Sequence, residues 1–157
     1  MEETLQLAFD YHLTLDAIEY LMKEMGSVDI PHSGVFSPGM YTRSIIVPPD
    51  YYLLSYIHKT KHQFILSYGK IVIYTPDEGM VFIHGPYLGM TEARTQRFAK
   101  TLSQIAWTTI HPTSIQPADD SEEAFKEAEK LVEAELFETH ENIFLIKAEK
   151  GDKLCLA

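Results

Sequence analysis

The chain has little of what marks secreted or membrane proteins. Its single cysteine, Cys155, cannot close a disulfide within the chain, which excludes a disulfide-stapled scaffold and a cysteine zinc knuckle. The N-terminal stretch lacks the basic residues of a signal peptide, and no apolar run approaches the roughly 18 residues of a membrane span. Glycine and proline number eight each, too few for a collagen-like or low-complexity chain. We therefore expect a soluble cytoplasmic protein.

Nucleotide and hydrolase motifs are missing as well. The sequence contains no phosphate-binding loop, no dinucleotide fingerprint and no nucleophile elbow. Apolar side chains are plentiful, since 45% of the 157 residues are hydrophobic and 11% are aromatic. That content is sufficient for one domain with a substantial core.

Charge is unevenly distributed along the chain. The 13 basic and 23 acidic residues give a formal charge of −10, which argues against binding to nucleic acid or to anionic membranes. Residues 1–40 carry one lysine against seven acids, and residues 118–157 carry five lysines against twelve acids. Residues 41–117 carry seven basic residues against four acids. Either the acidic flanks serve solubility alone, or the basic centre binds an anion.

Helical spacing marks both ends of the chain. Between Thr4 and Met25 apolar residues recur at steps of three and four, with Thr14 as the cap of a second segment and Gly26 as the stop. A second, acidic helix is expected to begin at Asp120 or Ser121. Its apolar stripe would consist of Ala124, Leu131, Val132, Leu136 and Phe137.

The middle of the chain has the pattern of short strands. Residues 29–40 hold two prolines and two glycines and are expected to form a loop. From Tyr41 to His111, about seven segments rich in β-branched and aromatic residues alternate with turn residues, which predicts a sandwich or small barrel. The C-terminal tail, residues 142–157, is expected to pair as a hairpin or as an edge strand.

Three motifs in this region resemble those of cupins. PGMYTR at 38–43, IHKTKH at 57–62 and WTTIHP at 107–112 follow one another as in short cupin-like proteins of phages and prophages. The resemblance covers residues 29–113 and implies a mainly β fold, a double-stranded β-helix or jelly-roll barrel with its ligand site inside.

The resemblance also implies how the chain is organised. The barrel would span residues 40–113. An N-terminal helical arm with a loop, residues 1–39, and a C-terminal acidic helix with a tail, residues 114–157, would pack outside it. Together they would form one globular domain.

The same resemblance implies a metal site. Aligned on Gly69, the cupin metal motif places Tyr56 and His58 at its two histidine positions and His62 at its glutamate position. The histidine of the second cupin motif falls on Arg97. A divalent metal (zinc, iron, nickel or manganese) would then be held by His58 and His62, with His111 as the third ligand.

Strand geometry sets a condition on this site. On one extended strand, side chains four residues apart are separated by about 13 Å, so His58 and His62 can share a metal only if the chain turns at residues 59–61. If a hairpin closes at Thr101–Leu102, His111 is also about 13 Å away along its strand and can reach the site only through barrel twist.

Strand alternation predicts a second set of ligand-binding residues. Arg43, Tyr56, Arg97 and Trp107 would face the barrel interior. A buried arginine requires a carboxylate or an anionic ligand, and Glu92 is the only obvious carboxylate partner within the barrel segment. The alternative places both arginines outside, paired with the acidic helices. The remaining histidines are expected to be hydrogen-bonded or exposed: His12, His32, His84 and His140.

Three functions are compatible with these patterns. The first is a binding protein for an anionic small molecule, with or without a metal, and the two altered metal-motif positions favour it. The second is a metal-dependent enzyme of the oxygenase, isomerase or hydrolase type. The third is a structural or assembly protein of phage origin. A homodimer or larger oligomer is expected under all three, with no nucleic acid or membrane as partner.

Overall fold

The computed structural model describes residues 15–24, 30–75, 77–138 and 144–147. Within these ranges there are two helices, α1 (Leu15–Glu24) and α2 (Glu122–Leu136), and ten strands. The strands are β1 (Ser33–Ser37), β2 (Met40–Val47), β3 (Tyr51–Leu54), β4 (His62–Tyr68), β5 (Lys70–Thr75), β6 (Gly79–His84), β7 (Tyr87–Thr91), β8 (Phe98–Thr101), β9 (Ile105–Pro112) and β10 (Phe144–Lys147).

Some of the sequence predictions concern residues outside these ranges. The helix cap Thr14 and the helix stop Gly26 lie outside the described residues, as do His12, His140 and Cys155.

The strands form two antiparallel sheets of five strands each. The first sheet has the order β1-β2-β9-β4-β7, and the second has the order β10-β3-β8-β5-β6. Consecutive strands often lie in different sheets, so the chain winds back and forth between them as in a jelly roll. The predicted mainly β, double-stranded β-helical fold is confirmed.

Aliphatic side chains fill much of the space between the sheets. Along β4, buried and more exposed residues alternate, so that Phe64 and Leu66 point inward from the first sheet. Leu66 packs in one cluster with Leu53, Ile71 and Ile73 of the second sheet. Removal of this apolar surface from water stabilises the barrel by roughly 25 cal/mol per Å².

The predicted loop at residues 29–40 is wrong in part, because Ser33–Ser37 forms β1. Ser37 pairs with Met40, so Pro38 and Gly39 form a two-residue hairpin turn rather than an irregular crossing. Gly39 has φ +75°, and proline followed by a residue of positive φ is the pattern of a type II turn. β7 was also not predicted, whereas β10 pairs with β3 at a sheet edge, one of the two arrangements expected of the tail.

The hairpin considered at Thr101–Leu102 does not form. β8 pairs with β3 and β5, whereas β9 pairs with β2 and β4 in the other sheet. The connection is held by its neighbours instead, since Thr101 Oγ1 donates to the carbonyl of Pro48 at 2.7 Å and the Leu102 N–H donates to the carbonyl of Lys70 at 2.9 Å. The turn therefore carries the chain across the barrel.

α1 packs on the outer face of the second sheet. Ile18 is fully buried there, and Leu15 packs beside it. The side chains beneath them are Tyr52, Leu54, Val72, Tyr74 and Phe98. α1 and α2 are the helices within the described residues. Neither is long and apolar enough to span a membrane.

α2 begins as predicted at Ser121, whose hydroxyl accepts from the Ala124 N–H at 3.1 Å. Its buried face differs from the prediction, because Leu131 is 53% exposed and Ala128 is buried instead. At 3.6 residues per turn, Ala128, Val132 and Leu136 follow one another at steps of four, and Leu131 lies to one side of that line.

Candidate metal centre and ligand cavity

Three imidazoles meet at one end of the barrel. The ring centroids of His58 and His62 are 4.2 Å apart, those of His62 and His111 are 4.6 Å apart, and those of His58 and His111 are 5.2 Å apart. One ring nitrogen from each residue lies within 4.8 Å of the other two. The three residues predicted as metal ligands are thus brought together.

The sheet topology explains how residues so distant in sequence meet. β9 lies directly beside β4 with Gln63 opposite Ile110, which makes His62 and His111 neighbours across the sheet. A hairpin at Thr101–Leu102 would have put His111 about 13 Å away, because it would have paired β9 with β8. The chain also turns at residues 59–61, and His58 forms an isolated bridge with Phe137 rather than continuing β3.

Hydrogen bonds orient two of the rings. His62 Nδ1 lies 3.1 Å from the carbonyl of Thr60, an acceptor, so Nδ1 carries the proton and Nε2 keeps a free lone pair. His111 Nε2 lies 2.9 Å from Thr109 Oγ1. His111 Nδ1 is buried and has no hydrogen-bond partner among the described residues. A buried polar atom without a partner is costly, and a metal ion would satisfy it, so the donor set fits a metal.

All three imidazoles are held in their neutral form. Burial, aided by the neighbouring histidines and arginines, lowers the pKa of His58 from 6.5 to about 2. Burial in the same surroundings lowers the pKa of His111 to about 3. Burial also lowers the pKa of His62. Neutral imidazole is the form that binds a metal, so these rings need lose no proton at pH 7.

A cavity of about 100 Å³ adjoins the histidines inside the barrel. Its walls are mostly apolar, and no Asp or Glu is present among the described residues that line it. The lining residues are Ile30, Arg43, Ile45, Leu53, Ser55, Tyr56, His58, His62, Ile71, Ile73, Thr91, Thr95, Arg97, Ala99, Ile105, Trp107, Thr109 and Phe137. The four predicted ligand-binding residues and two of the three histidines are among them.

Arg97 lies in this cavity without a close carboxylate. Its Nη1 donates to Thr91 Oγ1 at 2.7 Å, and its guanidinium lies 5.3 Å from the centre of the Phe64 ring. In the described part of the chain it forms no ion pair, and Glu78 acts on it only at longer range. Glu92, the carboxylate expected as a partner, is at the surface and pairs with a lysine. The positive charge of Arg97 is therefore available to an anion in the cavity.

From the sequence, Arg43 was expected either to face the barrel interior or to pair with an acidic helix, and it does both. It points into the barrel and is only 7% exposed, yet an acidic helix supplies its partner. Its Nη1 lies 3.4 Å from Glu133 Oε1 of α2, and its Nη2 lies 2.9 Å from His32 Nδ1. The guanidinium also lies 5.5 Å from the Tyr56 ring centre and 5.3 Å from that of Phe137.

The partners of Arg43 belong to a network that joins α2 to the β1–β2 hairpin. Glu129 accepts from Tyr41 Oη at 2.7 Å and from His32 Nε2 at 3.1 Å. Burial and this bond raise the pKa of Tyr41. The Tyr41 hydroxyl lies close to the backbone of Gly34. A Cβ at position 34 would lie 2.6 Å from that hydroxyl, so a residue larger than glycine would displace it. His32 is hydrogen-bonded as expected, and His84 is exposed as expected.

His32, Glu129 and Glu133 also lie close enough together to hold a metal. Arg43, however, bonds to both His32 and Glu133. A cation at this position would be repelled by the guanidinium, so we regard the group as an ion-pair network.

Aromatic rings complete the cavity wall. Trp107 stacks on Phe64 with centroids 4.3 Å apart, and Tyr56 stacks on Phe137 at 4.6 Å. Phe137 also meets the His58 ring edge-on at 4.9 Å, so the end of α2 covers the histidines. The sequence assigned Phe137 to the helix stripe and missed its place at the site, because nothing in the local pattern shows which strand a helix end will meet.

Comparison with known proteins supports the fold. No protein-family model matches the sequence, and no curated protein matches it significantly. Ectoine synthase from P. lautus is 9% identical, with a TM-score of 0.53 over 83% of this chain and 91% of that chain. The polyketide cyclase RemF from Streptomyces resistomycificus is 13% identical, with a TM-score of 0.48 over 66% of this chain and 81% of that chain. A cupin-2 domain protein from Shewanella frigidimarina is 8% identical, with a TM-score of 0.45 over 66% and 98%.

These matches concern the fold. The expected cupin-like jelly-roll fold is confirmed by the sheet topology and by the likeness to ectoine synthase, and at 9% identity that likeness says nothing of activity. The narrower resemblance to phage proteins stays a prediction.

Proposed function

We propose that this protein, a cupin by fold, holds a divalent metal at His58, His62 and His111 and binds a small anionic molecule beside it. The observation that carries the proposal is the buried His111 Nδ1, which has no hydrogen-bond partner within the described part of the chain and belongs to a group of three neutral imidazoles. In a structural core, a histidine normally uses both ring nitrogens in hydrogen bonds.

The donor set favours certain metals. Three neutral imidazoles suit zinc, iron or nickel, whereas manganese prefers oxygen ligands. A metal in this position would supply a Lewis acid toward an oxygen atom of a bound molecule. The hydrogen bonds of Thr60 and Thr109 would keep the rings of His62 and His111 in the orientation that ligation requires.

Arg97 supports an anionic ligand. A guanidinium binds carboxylate or phosphate through a fixed fork of donors, and the bond from Arg97 to Thr91 keeps that fork in place. The rest of the cavity is lined by aliphatic and aromatic groups, among them Ile45, Ile73 and Trp107. The ligand that fits is therefore a small organic acid with an apolar body. Its charged end would bind Arg97, beside the histidines.

An enzyme is the second candidate. Three protein ligands leave coordination positions open for substrate, as in catalytic rather than structural metal sites. The cavity wall, within the described residues, offers no carboxylate as a general base. We therefore place binding of the organic acid first and its conversion second.

Elemental analysis of protein purified without a metal-binding tag tests the metal. We expect about one zinc, iron or nickel ion per chain, and replacement of His58, His62 or His111 by alanine should remove most of it. His84→Ala changes an exposed histidine and should leave the metal content unchanged. A metal-free wild type that also fails to take up zinc in a titration would refute the site.

A further inference from the structure

Arg43 has a hydrogen-bond donor that the described residues leave unused. Its Nε is buried and has no hydrogen-bond partner among them. Its two terminal nitrogens, in contrast, contact Glu133 Oε1 and His32 Nδ1. A charged guanidinium has donors only, so the Nε–H group requires an acceptor. A buried donor without an acceptor costs free energy, and an oxygen atom of a bound molecule would remove that cost.

This unused donor belongs to the cavity side of Arg43. Arg43 lines the cavity, whereas its partners Glu133 and His32 are not among the described residues that line it. Ile45 on the same strand and Thr109, opposite Arg43 on β9, line the cavity as well. The terminal nitrogens are therefore engaged by α2 and by the residue before β1, and Nε is the nitrogen that remains for a molecule in the cavity.

Arg43 and Arg97 lie on opposite sides of the three imidazoles. In the first sheet, β2, β9, β4 and β7 are neighbours in that order. Arg43 is on β2, and the next two strands carry His111 and His62. Thr91, which accepts the hydrogen bond from Arg97, is on β7 opposite His62. Since β2 and β7 are three strand spacings apart, about 14 Å, a molecule that contacts both guanidiniums passes over the imidazoles.

The two guanidiniums require different acceptors. Arg97 has no ion pair among the described residues, so its charge suits the carboxylate of an organic acid. Arg43 lies 3.4 Å from Glu133, whose carboxylate balances its charge. A second carboxylate at Arg43 would be repelled by Glu133, whereas a carbonyl or hydroxyl oxygen can accept the Nε hydrogen bond without that repulsion.

We infer that the ligand is an oxo or hydroxy acid, whose carboxylate binds Arg97 and whose second, uncharged oxygen accepts a hydrogen bond from Arg43 Nε. The inference rests on the proposed binding of an organic acid and adds a second functional group to that acid. Arg43 is then a specificity-determining residue. A site built to donate a hydrogen bond rejects an analogue that lacks the acceptor, because its buried donor is left unpaired.

Two pairs of acids of equal chain length test the inference on the full chain. 4-Oxopentanoate and pentanoate differ by one carbonyl group, as do 5-oxohexanoate and hexanoate, which are one methylene longer. Isothermal titration calorimetry of the purified protein gives the Kd of each acid. We expect the oxo acid of at least one pair to bind roughly tenfold more tightly than its partner, because only the oxo acid satisfies Arg43 Nε.

Replacement of Arg43 by lysine removes the donor and keeps the charge. Arg43→Lys retains a cation beside Glu133 but has a methylene group in the place of Nε. The ratio of the two Kd values should therefore fall to about 1. Arg94→Lys is the matched control, because it makes the same replacement at an 81% exposed side chain and should keep the wild-type ratio. The thermal transition of each variant reports folding, and the wild-type comparison needs no variant.

Three results would overturn the inference and leave the proposed function intact. They are equal wild-type affinities within both pairs of acids, a folded Arg43→Lys protein that keeps the preference, and an Arg94→Lys protein that loses it as well. Failure of all four acids to bind the wild type would refute both the inference and the proposed binding of an organic acid.

Discussion

The two ring nitrogens of His111 have different surroundings, and the candidate site depends on that difference. One bonds to Thr109, whose place on the same strand two residues earlier fixes the ring. The other is buried, and no described residue forms a hydrogen bond with it. Arg97 is similar. Its Nη1 donates to Thr91 Oγ1, while no carboxylate of the described residues lies close to the guanidinium charge. At both residues, one hydrogen bond orients the side chain, and the described residues leave His111 Nδ1 and the charge of Arg97 without a close partner.

Replacement of Arg97 tests this interpretation. Arg97→Gln keeps a polar side chain but removes the charge, so binding of a short-chain or aromatic carboxylate such as butyrate or benzoate should weaken at least tenfold. The measurement is the carboxylate-induced rise in melting temperature of the protein. Arg94→Gln is the control, because the Arg94 side chain is 81% exposed and its ion pair among the described residues is with Glu138 at the surface. Equal losses in both variants would show that the effect is general electrostatics.

The C-terminal end of α2 covers the end of the barrel where the three imidazoles lie. Leu136 is buried beside Tyr41 and Phe137, and its carbonyl accepts from the Lys59 N–H at 2.7 Å. The Glu138 N–H donates to the carbonyl of Ile57 at 2.9 Å, so the helix end is joined to the segment that carries His58. Packing of this helix therefore determines where Phe137 lies over the imidazoles.

Two leucines of α2 give a matched pair for this packing. Leu136→Ala should lower the free energy of unfolding by about 2–4 kcal/mol, because it leaves a cavity in the core. Leu131→Ala changes a 53% exposed side chain and should shift it by about 0.5 kcal/mol at most. Urea denaturation measures both. Equal effects would contradict the helix orientation described above.

The sequence was sufficient for some elements and insufficient for others. Local patterns predicted most strands and a helix cap at Asp120 or Ser121, because each depends on nearby residues. The turn at residues 59–61, which the sequence set as a condition for a shared metal, is present. Local patterns could not predict which strand pairs with β9. Gln63 and Ile110 are far apart in sequence, and their pairing depends on how the whole chain folds. The three histidines named from the sequence lie together in the structure, whereas the hairpin on which the distance of His111 depended does not form. That they hold a metal stays a prediction. Arg43 was likewise predicted to face inward or to pair with a helix, and it does both.

At the scale of the whole molecule, the neutral histidines make stability depend on pH. His58 and His111 have lowered pKa values in the folded protein, about 2 and about 3, against 6.5 when unfolded. Between these values the unfolded chain binds protons that the folded chain does not. With respect to these two histidines, the protein therefore has its full stability above pH 6.5. The free energy of unfolding falls as the pH drops below that value.

Metal-free protein provides the measurement. Urea denaturation between pH 7 and pH 5 should show a steady loss of stability, within a range where most carboxylates remain ionised. The double variant His58→Gln/His111→Gln should show a flatter pH dependence, whereas His84→Gln should keep that of the wild type. A wild type equally stable at pH 5 and pH 7 would mean that these two histidines are not buried in neutral form.

Pairing of β9 between β2 and β4 also bears on synthesis at the ribosome. β2 ends at Val47, but the strand that completes its side of the sheet ends only at Pro112. At 5–20 residues per second, about 3–13 seconds separate the emergence of the two strands. During that interval β2 and β4 are exposed without the strand that lies between them, and His62 has no His111 beside it. Closure of the first sheet, and with it the assembly of the three imidazoles, therefore belongs to a late stage of chain elongation.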